Sequence, residues 1–206
     1  DERSTSYPST PRQLVLLNDL VRELRVIGLR DATIDEWGYV TATIPATSPK
    51  AHVPVIGFIA HVDTVHREVG ANKIRKTASM WYADGAPLGA DDGAGCAMLM
   101  HLLYSGISGY YLFTQGEECG GIGARHVALD TTLLSEFDRA IAFDRRGIDS
   151  VITHQGWGRT ASDSFAQALS DALNVDERLM YLPDDTGVYT DTAEFIDVIP
   201  ECTNIS

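Results

Sequence analysis

A chain of 206 residues that is 44% hydrophobic carries enough apolar side chain for one sizeable core and little to spare for a second. Its formal net charge of −13 argues against nucleic acid and anionic membranes as partners, because both need a basic footprint. The 3 cysteines (Cys96, Cys119, Cys202) are odd in number and far apart, which excludes a Cys-x-x-Cys pair or disulfide framework and favours a reducing compartment.

No apolar run reaches the roughly 18 residues of a membrane span, and the first residues lack the charged-then-apolar order of a signal peptide. The sequence therefore reads as soluble and cytoplasmic, with trimming before Asp1 as an open alternative. Residues 1–9 are polar. From Pro11 onward Leu14, Leu17, Leu20, Val21 and Leu24 recur at helical spacing, with Thr10 as the N-cap. A strand pair is predicted around Thr33–Ile44, turning at Trp37-Gly38, and Val53–Ala60 reads as a buried strand that ends at His61.

Residues 66–79 are polar and read as an irregular surface excursion. Asp92–Tyr104 predicts a helix, small residues first and then Met98, Leu99, Leu102 and Leu103. Further strands are predicted at Tyr110–Thr114, Arg139–Phe143 and Ser150–Thr153, and an N-capped helix at Ser162–Leu173. The stretch Thr186–Ser206 combines a glycine turn, a short helix near Thr192–Phe195 and a last strand at Cys202–Ser206. Strands alternating with helices predict a three-layer α/β/α fold, its mixed, mostly parallel sheet covered on both faces. No repeat, low-complexity segment or linker divides the chain, so a single domain over residues 1–206 is expected.

The chemistry gathers where apolar runs stop. Gly57-Phe58-Ile59-Ala60 leads into His61-Val62-Asp63, Leu112-Phe113-Thr114-Gln115-Gly116 into Glu117-Glu118, and Ala140-Ile141-Ala142-Phe143 into Asp144. Asp91-Asp92 sits among Gly89, Ala90, Gly93, Ala94 and Gly95. In an open α/β sheet such strand ends meet in one crevice. One imidazole with several carboxylates there is a ligand set for paired divalent metals. Asp63 suits the task of accepting the second ring N–H of His61 and fixing its tautomer. Asp91-Asp92 reads either as a metal bridge or as capping of a helix start. In Glu117-Glu118, one carboxylate can ligate while the other serves as general base, the alternative being a solvated acidic loop.

Taken in order, His61-x-Asp63, Gly-Ala-Asp91-Asp92-Gly-Ala-Gly, Glu117-Glu118 and Asp144 resemble the co-catalytic dizinc exopeptidases. That group includes peptidase T, the aminoacylases, the glutamate carboxypeptidases and the zinc aminopeptidases, and Gly-Ala-Asp-Asp with Phe-Thr-x-x-Glu-Glu is most similar to the peptidase T branch. The resemblance implies His61, Asp91, Glu118 and Asp144 as ligands of two zinc ions, with cobalt or manganese as substitutes. Asp91 would bridge and precede a cis peptide. It implies Asp63 as the residue orienting His61, and Glu117 as general base toward a metal-bridging water. The implied activity is hydrolysis of a short peptide or an N-acyl amino acid, with no nucleic-acid or membrane partner.

Two departures from the family pattern stand out. The family places a second ligand histidine near its C-terminus, whereas no histidine follows His154 here. The expectation is a domain that lacks its C-terminal end; an under-ligated zinc or a catalytically inactive binding module on the same scaffold are the alternatives. The residues after Asp144 read as core elements, so no inserted lid or dimerisation domain is expected. Arg145 and Arg146 read as ion-paired rather than substrate-binding, Asp191 as a helix N-cap or an active-site Thr-Asp turn, and Trp37, Trp81 and Trp157 as core aromatics.

Overall fold

The computed structural model describes residues 11–45, 54–66, 72–156 and 158–206. Helix α1 (Pro11–Val26) is followed by strands β1 (Thr33–Ile34), β2 (Val40–Ile44) and β3 (Ile56–His61), then by the hairpin β4 (Ile74–Lys76) and β5 (Trp81–Ala83). Next come helix α2 (Ala90–Tyr104), strand β6 (Gly109–Thr114), helices α3 (Ile122–Val127) and α4 (Thr131–Leu134) and strand β7 (Arg139–Ala142). The chain continues through β8 (Ser150–Ile152), β9 (His154–Gln155), β10 (Gly158–Arg159), helix α5 (Asp163–Leu173) and β11 (Leu182–Asp184). It closes with a 3-10 helix (Asp191–Phe195) and β12 (Cys202–Asn204).

The central sheet has 6 strands in the order β1-β2-β6-β3-β7-β12. Strands β6, β3, β7 and β12 run parallel, while β2 pairs antiparallel with β6. The parallel strands are near-continuous apolar runs because both of their faces are covered. Side chains alternate between the faces. Phe58, Ala60, Tyr111 and Phe113 join Leu17, Val21 and Leu24 of α1 and Leu99 and Leu103 of α2 in one core. Ile59 and Leu112 join Ala124 and Val127 of α3, Leu134 of α4 and Phe195 in the other. The three-layer α/β/α arrangement expected from the sequence is the one observed.

Strand order fixes where the site lies. The chain leaves β3 through α2 and returns as β6 on one side; it leaves β6 through α3 and α4 and returns as β7 on the other. The carboxyl ends of β3, β6 and β7 thus flank the point where the winding reverses, which is where α/β sheets open a crevice.

Several expectations change. The surface excursion contains the exposed hairpin β4–β5, and Trp81, placed in the core from sequence, is 58% exposed beneath the ammonium of Lys76. Strand β3 begins at Ile56, and Thr10, Val53 and Trp157 lie outside the described residues. Asp191 is not an N-cap: Thr190 holds that position with no side-chain bond to the helix backbone, and Asp191 is 1% exposed. Helix α5 does carry its expected cap, Ser162 Oγ accepting from the N–H of Phe165 at 3.1 Å. No helix among the described residues is long and apolar enough to cross a membrane.

Candidate metal centre

His61 ends β3, beside Thr114 at the end of β6, and is 2% exposed. Its Nδ1 lies 3.0 Å from the backbone carbonyl of Asp63. A carbonyl only accepts, so Nδ1 carries the hydrogen, and Nε2 is the atom turned to the crevice. Around Nε2 stand Asp91 Oδ1 at 3.0 Å, Asp144 Oδ1 at 3.7 Å and Glu117 Oε2 at 4.0 Å. One ligand atom from each of His61, Asp91 and Asp144 falls within 4.8 Å of the others.

Asp63 has a different principal contact from the one expected of it. Its carboxylate is 3.5 Å from His61 Nδ1, but its bonds go to the loop after β6. Oδ1 accepts from the N–H of Gly116 at 2.8 Å and of Glu117 at 3.2 Å, and Oδ2 from the N–H of Glu118 at 3.2 Å. Asp63 thus orients His61 chiefly through its main-chain oxygen, while its side chain pins the Glu117-Glu118 loop.

The two aspartates at the head of α2 point in different directions. Asp92 faces inward, accepting from the N–H of Gly95 at 2.9 Å, as a cap does, and from the N–H of His61 at 3.3 Å. Asp91 points to the imidazole of His61. A cis peptide joins the pair, and both residues lie off helical backbone angles. Glycine at position 95 is required by close approach: a Cβ there would stand 2.4 Å from both carboxylate oxygens of Asp92.

Asp144 follows β7 and is held on three sides. Thr190 Oγ1 donates to its Oδ2 at 2.6 Å, Asn204 Oδ1 accepts from its N–H at 2.9 Å, and Asn204 Nδ2 donates to its carbonyl at 2.7 Å. Sequence reasoning missed Thr190 and Asn204 in these roles. Asn204 carried no motif; its place follows from the pairing of Asn204 with Ala142 across β12 and β7. Beneath the site, Thr114 Oγ1 donates to the buried Asp191, and Gln155 links the N–H of Thr190 to Thr192 Oγ1.

The charges in this crevice are unbalanced. Burial opposes a charge on His61, but hydrogen bonds with Asp144, Asp63 and Asp91 outweigh it and hold its pKa well above the ordinary imidazole value. Asp91 is held below the usual carboxylate range, chiefly by its hydrogen bond with His61. Burial, reinforced by neighbouring carboxylates, pushes Glu117 and Asp92 each up to about 8. Asp191 is pushed up to about 7, again by burial, and Glu118 is raised by burial and by Asp91.

Glu118 Oε1 is buried with no hydrogen-bond partner. A buried, unpaired carboxylate oxygen is costly. Imidazole nitrogen with hard carboxylate oxygens is the donor set of zinc and of related divalent cations, and a cation held by His61, Asp91 and Asp144 would relieve the excess charge; Glu118 stands outside that group of three. The residues present therefore fit a divalent metal. Cys96 donates its thiol to the carbonyl of His61 at 3.3 Å, and burial pushes its pKa up to about 12, so it adds no thiolate to the set.

No family model matches the chain. Peptidase T of Bacillus licheniformis is 56% identical over 72 residues, 35% of this chain. Over that segment the chain is similar to peptidase T. The match spans 17% of the peptidase T sequence. The crystal structure of the aminopeptidase PepT from Bacillus cereus superposes with a TM-score of 0.58 at 25% identity, covering 75% of this chain and 42% of that one. An aminopeptidase from the archaeon Desulfurococcus kamchatkensis superposes with a TM-score of 0.65 at 16% identity, covering 98% of this chain and 84% of that one. The latter is a likeness of fold. The peptidase T resemblance expected from the motifs is thus the one found.

Proposed function

We propose that this chain is the metal-site domain of a metallo-exopeptidase that cleaves a peptide or N-acyl amino acid bond, with Glu117 as general base. The observation that carries the reading is the convergence of His61 Nε2, Asp91 and Asp144 within 4.8 Å, with Glu117 Oε2 4.0 Å from the same nitrogen. His61, Asp91, Glu118 and Asp144 would hold the metal, zinc being the first choice and cobalt or manganese substitutes. Bound there, divalent cations would supply the positive charge that polarises a carbonyl and acidifies water.

The rest falls to the chain's own groups. Glu117 is 12% exposed at its side chain and pushed up to about 8, close to the working range that suits a general base near neutral pH. Glu117 would take the proton of the attacking water and return it to the leaving nitrogen. Asp63 holds Glu117 in place through the backbone of its loop. Thr190 and Asn204 fix the rotamer and main chain of Asp144, so that this carboxylate needs no rearrangement when it engages a cation.

The test is Glu117→Gln, which keeps the size and polarity of the side chain and removes the base. Turnover of a panel of di- and tripeptides and N-acyl amino acids should fall by roughly 10²–10⁴-fold while zinc content stays that of the parent chain. Unchanged hydrolysis by the variant would refute the assigned role, and loss of zinc would move Glu117 to the ligand set.

A further inference from the structure

The turn that carries Glu117 closes on itself. The carbonyl of Glu117 accepts from the N–H of Gly120 at 2.8 Å and of Gly121 at 3.0 Å, and the carbonyl of Gly121 accepts from the N–H of Arg125 as α3 begins. Asp63 pins the near end of this turn, at Gly116, Glu117 and Glu118. Its far end, at Gly121, meets a different element. Gly121 has φ +67°, and a Cβ there would stand 1.8 Å from Tyr189 Oη and 3.0 Å from Tyr189 Cζ. The tip of the tyrosine therefore fills the space that a side chain at position 121 would take.

The ring is aimed by its hydroxyl. Tyr189 Oη donates to Glu194 Oε1 at 2.9 Å, and the same oxygen accepts from Arg125 Nε at 3.2 Å. Arg125 belongs to α3, the helix into which the turn runs. Burial, reinforced by Asp191 and Glu194, pushes the Tyr189 hydroxyl far above its ordinary pKa, so it keeps its proton and stays a donor. The next residue, Thr190, donates to Asp144 Oδ2 at 2.6 Å, and its own N–H is held by Gln155 Oε1 at 3.1 Å. Two adjacent residues thus reach both sides of the crevice. Tyr189 meets the Glu117 turn, and Thr190 meets the carboxylate of Asp144. A tyrosine has only two χ angles to fix, which makes it a stiff strut between them.

We infer that Tyr189 is a positioning residue for Glu117, its ring tip seated on Gly121 so that the Glu117 turn and the Thr190 clamp on Asp144 keep a fixed separation. The turn is then held from two sides, by Asp63 after β3 and by Tyr189 before the 3-10 helix. For the task that Glu117 performs, the inference rests on the peptidase reading. A base displaced by about 1 Å from its water loses up to roughly 10²-fold in rate.

The first readout needs no turnover. In the presence of zinc, hydrogen exchange at the amides of Gly120 and Gly121, followed by mass spectrometry, should quicken by about tenfold or more in Tyr189→Ala, while α1 and α5 exchange as in the parent. Tyr189→Phe keeps the ring and gives up the bond to Glu194, so its exchange should stay within about threefold of the parent. The second readout is kinetic, on a panel of di- and tripeptides. Tyr189→Ala should lower kcat by about 10–10²-fold with KM within about twofold, and Tyr189→Phe should recover most of the loss. Gly121→Ala sets its methyl against Tyr189 Oη and should lower kcat alike. The double variant Gly121→Ala/Tyr189→Ala should then cost less than the two losses multiplied.

Unchanged exchange at Gly120 and Gly121 in Tyr189→Ala overturns the inference. So does exchange quickened through the whole chain, which would mark Tyr189 as a residue of general stability. A rise in KM alone, or losses that multiply in the double variant, would overturn it too. The peptidase reading fails separately. Local quickening without turnover of any peptide by the parent sinks that reading and leaves the positioning of the Glu117 turn standing, whereas turnover unaffected by Tyr189→Ala sinks the positioning alone.

Discussion

Replacing Asp63 with asparagine tests the claim that one carboxylate holds the catalytic loop. Asp63 is 1% exposed and accepts from the N–H groups of Gly116, Glu117 and Glu118. Asparagine keeps a single acceptor oxygen. If that oxygen serves Gly116 and Glu117, its NH₂ is set against the N–H of Glu118. Hydrogen bonds to a charged acceptor contribute about 1.5–3 kcal/mol each and neutral ones about 0.5–1.5 kcal/mol. One bond lost, at about 1.5–3 kcal/mol, and two weakened by about 1–1.5 kcal/mol each come to about 3.5–6 kcal/mol. Removing a negative charge from an acidic site relieves some repulsion, but the contact of Asp63 Oδ1 with His61 Nδ1 at 3.5 Å is lost with it, and the two effects oppose. For a chain of this size, about 3.5–6 kcal/mol lowers Tm by roughly 7–24 °C. The assay is a thermal melt followed by circular dichroism in chelator at pH 7, so that metal binding does not enter. Asp63→Ala, which leaves all three N–H groups unmet, should fall further. A Tm for Asp63→Asn within about 2 °C of the parent would refute the reasoning.

Two further outcomes follow from the same site. Glu117 and Asp92, each pushed up to about 8, and Asp191, pushed up to about 7, hold protons in the fold that the unfolded chain releases near its ordinary carboxylate pKa. His61, held well above its ordinary value, has the same sign. Their contribution is full below the unfolded pKa values and drains as pH rises, so the metal-free chain should melt lower at pH 8 than at pH 5; a higher Tm at pH 8 would contradict these assignments. Gly95→Ala sets a methyl 2.4 Å from both oxygens of Asp92. Moving Asp92 also disturbs the backbone of His61, so zinc affinity measured by competition with a chelating dye should drop tenfold or more, with stability down by about 1–3 kcal/mol. An affinity within twofold of the parent would show that Asp92 relaxes freely.

The sheet was legible because β3, β6 and β7 are short apolar runs, and each stops at a polar residue that the parallel layout carries to the same edge. The hairpin β4–β5 was not, since its residues are exposed and carry no alternating pattern. The crevice residues could be collected because each sits at a strand end or helix start, positions that sequence marks. What holds them could not: Asn204 clamps Asp144 through strand pairing between residues 60 apart, and no local pattern encodes such a contact. Asp191 carried a signal, the Thr-Asp pair, but as a surface cap its carboxylate would be solvated. Instead it lies beneath the site, bonded to Thr114. Arg145 and Arg146 look alike in sequence, and only the position of Asp184 picks out Arg145 as the paired guanidinium.

The most direct test of the central claim is zinc content per chain, read by mass spectrometry after loading and removal of free metal, for the parent and for His61→Ala. Among the described residues, His61 is the one imidazole whose Nε2 faces Asp91, Asp144 and Glu117 together. The account expects zinc to stay with the parent at one ion per chain or more, and to be lost from His61→Ala while the variant remains folded. Zinc absent from the parent, or retained equally by the variant, would contradict it.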